Sequence, residues 1–499
     1  MKSGEICFGS IDLNHHGSEI SHFYPYNFLV RRFFLENFGC RATQADGAAI
    51  ERDLLMRGFE RARHPREASL VVLNTCTVTA AADQDARSAV RRVHRENPAC
   101  KILVTGCYAQ RAPGEISQIP GVTWVVGNSH KARIGEIAGS RNFIPLDSLR
   151  PTAEAQEQTT FVSDIFAHTQ LLAAPVFGGD SGWERTRPNL KVQDGCDNRC
   201  SFCVIPYVRG QSRSLPLGEI LREVDALVEA GYREIVLSGI NLGRWGRDLD
   251  AVSFPHGRRI PRFEDLIRAL LDRTAIEKIR ISSVEPMDWS RELIGLVAGS
   301  PRIAKHAHVP LQSGSDRILR LMHRKYRPWH YAERIWRIRD SMPDAAVGAD
   351  VMVGFPGETD ADFEDSQRFI AELPFTYLHV FTYSARPGTP AVAMRDQVSG
   401  EITRVRNRIL RELGAGKNFE LRKRMVGQTV EAITLEKQDG SRAYTNALTD
   451  NYLKLRIAGY HEPNQWMKIL ITELIPEGIT GHAVDQPQES AACQPIAFT

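Results

Sequence analysis

From residue 189 onward the chain repeats one pattern six times: a short apolar run, a turn of glycine or polar residues, then a stretch with helical spacing. The runs are "LKVQDGC", "EIVLSGIN", "KIRISSVEP", "HAHVPLQSG", "GADVMVGFPGET" and "YLHVFTYSARPGT". Between them, "LGEILREVDALVEAGY" places Ile220, Val224, Leu227 and Val228 on one helix face, and the other intervening stretches follow the same logic. Strands alternating with helices fold as a parallel sheet with right-handed crossovers. Six such units predict a partial (β/α)6 barrel, smaller than the eight-stranded closed form. The strands of such a barrel end on one rim, and ligands bind there. The rim residues are Gly195, Gly239, Glu285, Gln312, Gly354, Gly357 and Gly388.

The first rim loop, "DGCDNRCSFCVIPYVRGQSRS", carries Cys196, Cys200 and Cys203 as C-x3-C-x2-C. A closed zinc site takes four ligands, and the one histidine within forty residues of the loop is His168. Zinc with a remote fourth ligand is one reading. The other is a 4Fe–4S cluster held by three thiolates, whose fourth iron stays open to a small molecule.

Upstream, "RRFFLENFGC", "SLVVLNTC" and "KILVTGC" each run through a β-rich apolar stretch to a cysteine: Cys40, Cys76 and Cys107. Helical patterns separate them. One has Asp46 as a cap with Ile50, Leu54 and Leu55 on one face; the next has Ala86, Ala89, Val90 and Val93 and stops at Pro98. In a parallel sheet the strand carboxyl ends share an edge, so these three cysteines are expected to meet in space. Cys7, Cys100 and Cys493 read as buried or spare thiols, and nine cysteines in such a chain do not read as a disulfide framework.

The length of 499 residues allows about three domains. Residues 1–30 read as an extension without periodicity and 31–150 as an N-terminal α/β parallel-sheet domain. A linker over 151–187, the barrel over 188–424, a small all-β domain over 425–485 and a tail over 486–499 follow. The net charge of +3 is too small to mark a nucleic-acid binder by itself. With neither a signal peptide nor a membrane-length apolar run in the sequence, the expected location is the cytoplasm.

The three-cysteine rim loop resembles the signature of the radical S-adenosylmethionine superfamily, with Phe202 at its aromatic position. Together with "GCRATQADG", "NTCTVT", "VTGCYAQR", "RISSVEP", "HVPLQSGS", "MVGFPGET" and "FTYSARPGTPA", the chain resembles the tRNA methylthiotransferase family from about Phe33 to about Gly478. The resemblance implies two 4Fe–4S clusters. Cys196, Cys200 and Cys203 would hold one, with S-adenosyl-L-methionine on its open iron. Cys40, Cys76 and Cys107 would hold an auxiliary one that carries the sulfur. The family often has Asn where this chain has Thr43.

"NTCTVTAAADQDARSAVRR" looks like the branch acting on N(6)-threonylcarbamoyladenosine beside the tRNA anticodon, which implies a 2-methylthio product. Methylthiotransferases for isopentenyladenosine or for a ribosomal-protein aspartate are the alternative enzymes. A zinc-stabilised RNA-binding protein without catalysis is the alternative of another class. The expected partners are the tRNA anticodon stem-loop and an electron donor such as flavodoxin or ferredoxin; the sequence does not indicate the sulfur donor. Glu285 is a candidate acceptor for the ribose or amino group of S-adenosylmethionine, with Ser238, Gly239, Ser283 and Gln312 as further candidates. Arg209 and Arg213 are expected to take RNA phosphates or a substrate carboxylate. The basic stretch "ITRVRNRILRELGAGKNFELRKRM" reads as a helix leading out of the barrel. The last domain resembles the OB-like TRAM module, in which Tyr444 and Tyr452 are candidates for stacking on bases.

Overall fold

A computed structural model describes residues 31–139, 159–167, 171, 186–249, 260–435, 443–476 and 478–484. The extension 1–30, most of the linker 151–187, His168, Cys7 and the tail 486–499 with Cys493 lie outside the described residues.

The N-terminal sheet comprises β1 (Arg32–Asn37), β2 (Glu60–Arg61), β3 (Leu70–Thr75), β4 (Lys101–Gly106), β5 (Val122–Gly127) and β6 (Thr160–Phe161). Their order is β2-β1-β3-β4-β5-β6, and every pairing is parallel. β6 comes from within the stretch read as linker, so the sheet draws on residues beyond 150. Helices cover both faces. Val71 and Leu73 pack with Ala86, Ala89, Val90 and Val93, while Leu70 and Val72 pack with Ile50 and Leu54. Burial on both faces explains why these strands read as unbroken apolar runs.

Two details differ from the sequence reading. The helix Arg41–Met56 starts from Cys40 as its N-cap, so Asp46 is not a cap but lies in the second turn, buried. Leu55 is exposed, because one residue of helix turns it about 100° from Leu54.

The barrel strands are β7 (Asn189–Asp194), β8 (Arg213–Ser214), β9 (Glu234–Gly239), β10 (Lys278–Ile281), β11 (His306–His308), β12 (Ala346–Val353) and β13 (Tyr377–Thr382). The six expected strands are all present. β7-β9-β10 and β11-β12-β13 pair in parallel, while β8 is a short antiparallel edge on β7. Backbone bonds from Ala304 to Ile279 and from Val284 to His308 join the two sets. Val347, Ala349 and Val351 share the outer core with Ile335, Ile338 and Ile370 of the surrounding helices. Their alternates Gly348, Asp350 and Met352 therefore line the lumen.

The helix Gly400–Met425 leaves the barrel as expected; Leu410 packs in the barrel core, and Leu421 and Met425 in the next one. There β14 (Thr429–Thr434), β15 (Tyr444–Thr449), β16 (Lys454–Ala458), β17 (Trp466–Ile475) and β18 (Gly478–Ala483) close into a small barrel. This domain docks at the amino ends of the large barrel's strands. Arg280 pairs with buried Glu234 at 2.7 Å and donates to the Asp450 carbonyl at 3.0 Å. Tyr452 is part of this joint: its ring lies 4.4 Å from His306 and 5.8 Å from Tyr377. Its ring is thus packed on the barrel floor. Tyr444 faces the Arg456 guanidinium at 4.9 Å. No helix among the described residues is long and apolar enough to cross a membrane.

Candidate active site

Strands β1, β3 and β4 are neighbours, so their carboxyl ends deliver Cys40, Cys76 and Cys107 to one edge. Gly39 lets this happen. It has φ +106°, and a Cβ there would stand 2.5 Å from the Cys76 Cβ. The Asn128 amide lies 3.5 Å from Cys107 Sγ, the Val78 N–H 3.5 Å from Cys76 Sγ, and the Thr43 hydroxyl 3.6 Å from Cys40 Sγ. Burial, and then the neighbouring Cys107 and Cys40, push the Cys76 thiol up to about 12. Cys76 and Cys107 are buried and Cys40 is exposed; neighbouring thiols of this kind become thiolates when a cation or cluster arrives.

The second triad sits on the barrel rim after β7. Its loop is stapled from several sides. Cys196 N–H donates to the Gly210 carbonyl at 3.1 Å, and the Ser201 hydroxyl to the Leu321 carbonyl at 2.7 Å. Gly195 has φ +72°, and a Cβ there would fall 1.9 Å from the Gln211 carbonyl oxygen. Phe202 packs edge-on against Phe355 with ring centroids 6.4 Å apart. The Asn241 amide reaches Cys196 Sγ at 3.6 Å and the Arg324 guanidinium reaches Cys200 Sγ at 3.3 Å. Burial, and then Cys200, push the Cys203 thiol up to about 12.

The two triads share a wall. Cys107 packs against Val204 and Val208, the first of which directly follows Cys203. Asn128 spans the same gap, donating to the Val208 carbonyl at 2.7 Å.

Neither triad is spaced for one ion. Among the described residues, the group that brings three ligand atoms within 4.8 Å of one another is His308, Asp350 and His379, not a cysteine set. A single zinc bound at about 2.3 Å needs its sulfurs roughly 3.8 Å apart. Sulfurs spread wider than that argue against the zinc reading at either triad.

A model of the Radical SAM superfamily matches residues 190–370, and one of the Uncharacterized protein family UPF0004 matches residues 32–127. The chain is 36% identical over 426 residues to the threonylcarbamoyladenosine tRNA methylthiotransferase MtaB of Bacillus subtilis, covering 84% of this chain and 89% of the relative. It is 34% identical over 436 residues to the MtaB of Aquifex aeolicus, covering 87% and 99%. The chain belongs to the MtaB-like family of radical S-adenosylmethionine tRNA methylthiotransferases.

It is accordingly a radical S-adenosylmethionine enzyme, with 4Fe–4S clusters and S-adenosylmethionine as cofactors. A tRNA-2-methylthio-N(6)-dimethylallyladenosine synthase of Saccharopolyspora erythraea is also similar, at 33% identity over 84% of this chain and 82% of the relative. The fold matches that of the radical S-adenosylmethionine methyltransferase TsrM from Kitasatospora setae, with a TM-score of 0.52 at 15% identity over 72% and 77% of the two chains.

The sequence candidates divide on this frame. Glu285 is on the rim, ion-paired to Arg324 and beside Cys200 in one cleft. Gln312 is there too, at φ +68°, and its Oε1 is a buried acceptor without a partner among the described residues, as is Asn241 Oδ1. Gly239 lies against Gln193, and Ser283 is exposed. Ser238 is buried, its hydroxyl within 3.5 Å of the Leu190 carbonyl, which leaves it structural.

Arg209 is not available to phosphate or substrate. It is buried between Asp194 and Asp46, 3.0 Å from each. Asp46 also pairs with Lys131 at 2.8 Å and with Lys191, which reaches Asp194 at 2.9 Å. Burial alone would raise the Asp46 carboxyl; Lys131, Lys191 and Arg209 beside it hold it at about 2. Arg213 donates to the Arg209 carbonyl at 2.8 Å. This buried network, together with Asn128, Asn241 and Arg324, went unread in the sequence.

Proposed function

We propose that this chain converts N(6)-threonylcarbamoyladenosine, beside the anticodon of tRNA, to its 2-methylthio derivative in the cytoplasm. The carrying observation is the shared wall: two three-cysteine sets that meet across Val204 and Val208. Cys196, Cys200 and Cys203 would hold the cluster that binds S-adenosylmethionine, and Cys40, Cys76 and Cys107 the auxiliary one. When bound, these groups supply a carbon-centred radical and a sulfur for C–S bond formation at C-2.

The chain's own residues do the positioning. Asn241, Arg324 and Asn128 place N–H donors on cysteine sulfurs and so fix where those sulfurs sit. Gln312 Oε1 and Asn241 Oδ1 offer acceptors to an ammonium or to ribose hydroxyls, and Glu285 offers a charged one. The tRNA stem-loop would approach this rim, with reducing equivalents from a flavodoxin or ferredoxin. The domain division at 31–150, 188–424 and 425–485 belongs to the same proposal.

Mass spectrometry of tRNA nucleosides from a deletion strain, with and without the gene restored, tests the reading. The expected result is loss and recovery of 2-methylthio-threonylcarbamoyladenosine. Loss of the methylthio-dimethylallyl nucleoside, or of the modified ribosomal aspartate, would overturn it.

A further inference from the structure

The barrel lumen carries polar side chains that cluster binding does not use. Residues on β11, β12 and β13 that alternate with the outer core face inward, in register His308–Gly348–Tyr377 and Asp350–His379. The Tyr377 hydroxyl lies 2.7 Å from His306 Nε2 and 2.9 Å from His308 Nδ1. His308 Nε2 and His379 Nδ1 both meet Asp350 Oδ1, at 3.1 and 3.4 Å. This chain of contacts fixes the rings. It ends at His379, whose side chain is 60% exposed against 6% for His308. With Nδ1 on Asp350 and the side chain exposed, His379 Nε2 is the nitrogen open to a ligand.

Arg41, on the N-terminal domain, is close enough to this column to act on its charge balance. It is the first residue of the helix Arg41–Met56, and its carbonyl accepts from Asn189 of β7 at 2.9 Å, which pins that helix end to the barrel. Its side chain is half-buried and acts electrostatically on His306 and Tyr377. It has neither a hydrogen bond nor an ion pair among the described residues. The neighbouring cations are matched: Arg187 and Arg280 share Glu234. With no protein anion on it among the described residues, the Arg41 guanidinium is available to an anionic ligand.

The two candidate substituents differ in this chemistry. A threonylcarbamoyl group ends in a carboxylate and a hydroxyl; a dimethylallyl group is hydrocarbon. Guanidinium binds carboxylate through two parallel N–H bonds, and an imidazole nitrogen accepts from a hydroxyl.

We propose that Arg41 holds the carboxylate of the threonylcarbamoyl substituent inside the barrel, with His379 Nε2 accepting from its hydroxyl, and that the pair selects this adenosine over an apolar one. The inference rests on the substrate reading above. Asp350 is the carboxylate on that wall. It serves by orienting both imidazoles, and it leaves Arg41 as the group that answers a negative charge.

The test uses the full chain with both clusters reconstituted and anticodon stem-loops bearing threonylcarbamoyladenosine, its methyl ester, or dimethylallyladenosine. Wild type is expected to prefer the acid over the ester by roughly 10–100-fold in kcat/KM, mostly through KM, the range for one charge-assisted contact. Arg41→Gln should bring that ratio to about one, and Arg41→Lys should restore most of it. His379→Phe should weaken the acid and ester alike and leave their ratio unchanged. Iron per chain, measured in each variant, separates this from loss of the cluster next to Arg41. If Arg41→Gln loses iron, the wild-type ester comparison and Arg41→Lys still decide. Equal turnover of acid and ester by wild type, or a ratio kept in Arg41→Gln, overturns this inference and leaves the substrate reading standing. Turnover of the dimethylallyl stem-loop alone overturns both.

Discussion

Arg324 joins Cys200 to Glu285: its guanidinium stands 3.3 Å from the Cys200 sulfur through one nitrogen and pairs with the Glu285 carboxylate through another. It is nearly buried, so its charge acts on the cluster loop with little screening. The Tyr326 hydroxyl beside it donates to the Leu311 carbonyl at 2.6 Å and holds this corner of the rim in place.

Arg324→Met is therefore expected to shift the reduction potential of the cluster proposed on Cys196, Cys200 and Cys203 to more negative values. A fixed cation and an N–H donor next to a ligating sulfur both favour the reduced state. Potentiometric titration followed by electron paramagnetic resonance checks this. An unchanged potential in a variant of normal iron content would show that Arg324 serves Glu285 alone.

Asp46 sits among Lys131, Lys191 and Arg209, all buried. Asp46→Asn leaves these cations under-compensated, and breaking such a pair from one side costs about 3–5 kcal/mol. Urea unfolding should show a loss of that order; a loss below about 1 kcal/mol would contradict the network's role. The acid limb carries the same signature. Asp46 has its folded pKa depressed from near 4 to about 2. Its contribution is complete above about pH 4 and is lost as pH falls through about 2. Wild type should lose stability more steeply than Asp46→Asn over that window.

The contrast between what the sequence disclosed and what it hid follows from range. Cys40, Cys76 and Cys107 could be placed because each closes a local apolar run, and parallel topology brings such ends together. The six barrel strands carry equally local signals. Asp46 near a helix start has the same local signature as a cap; its partners Lys131 and Lys191 lie 85 and 145 residues away. Arg209 followed the same course, since a basic residue in a loop is by default exposed. Tyr452 alternates like any strand-end tyrosine, and its partners His306 and Tyr377 belong to another domain.

Tyr452 leads to a third prediction. Its φ is +69° and its ring is held by His306, Tyr377 and the Arg280 guanidinium. Tyr452→Ala should lower the thermal midpoint by loosening the small barrel from the large one. Affinity for a cognate anticodon stem-loop should stay within about twofold, because stacking on a base would be worth about 1–3 kcal/mol and this ring is already packed on His306 and Tyr377. A tenfold loss of stem-loop affinity without a change in midpoint would return Tyr452 to the RNA-binding face.

Gly39→Ala separates the two cysteine triads without touching a ligand. The added Cβ would lie 2.5 Å from Cys76 Cβ and 2.9 Å from its sulfur, at a φ of +106° that alanine rarely adopts. Either the turn carrying Cys40 or the end of β3 has to move, and the spacing of the auxiliary site goes with it. The rim triad is anchored by Gly195, Gly210 and Leu321, which this change does not reach. Anaerobic reconstitution should then yield about four irons per chain where wild type takes about eight. S-adenosylmethionine cleavage should persist while methylthiolated tRNA does not form. Because Cys107 packs on Val204 and Val208, a disturbance large enough to cross that wall would abolish cleavage as well. Joint loss of both activities at four irons would therefore mean that the shared wall couples the triads mechanically, and that they do not load independently.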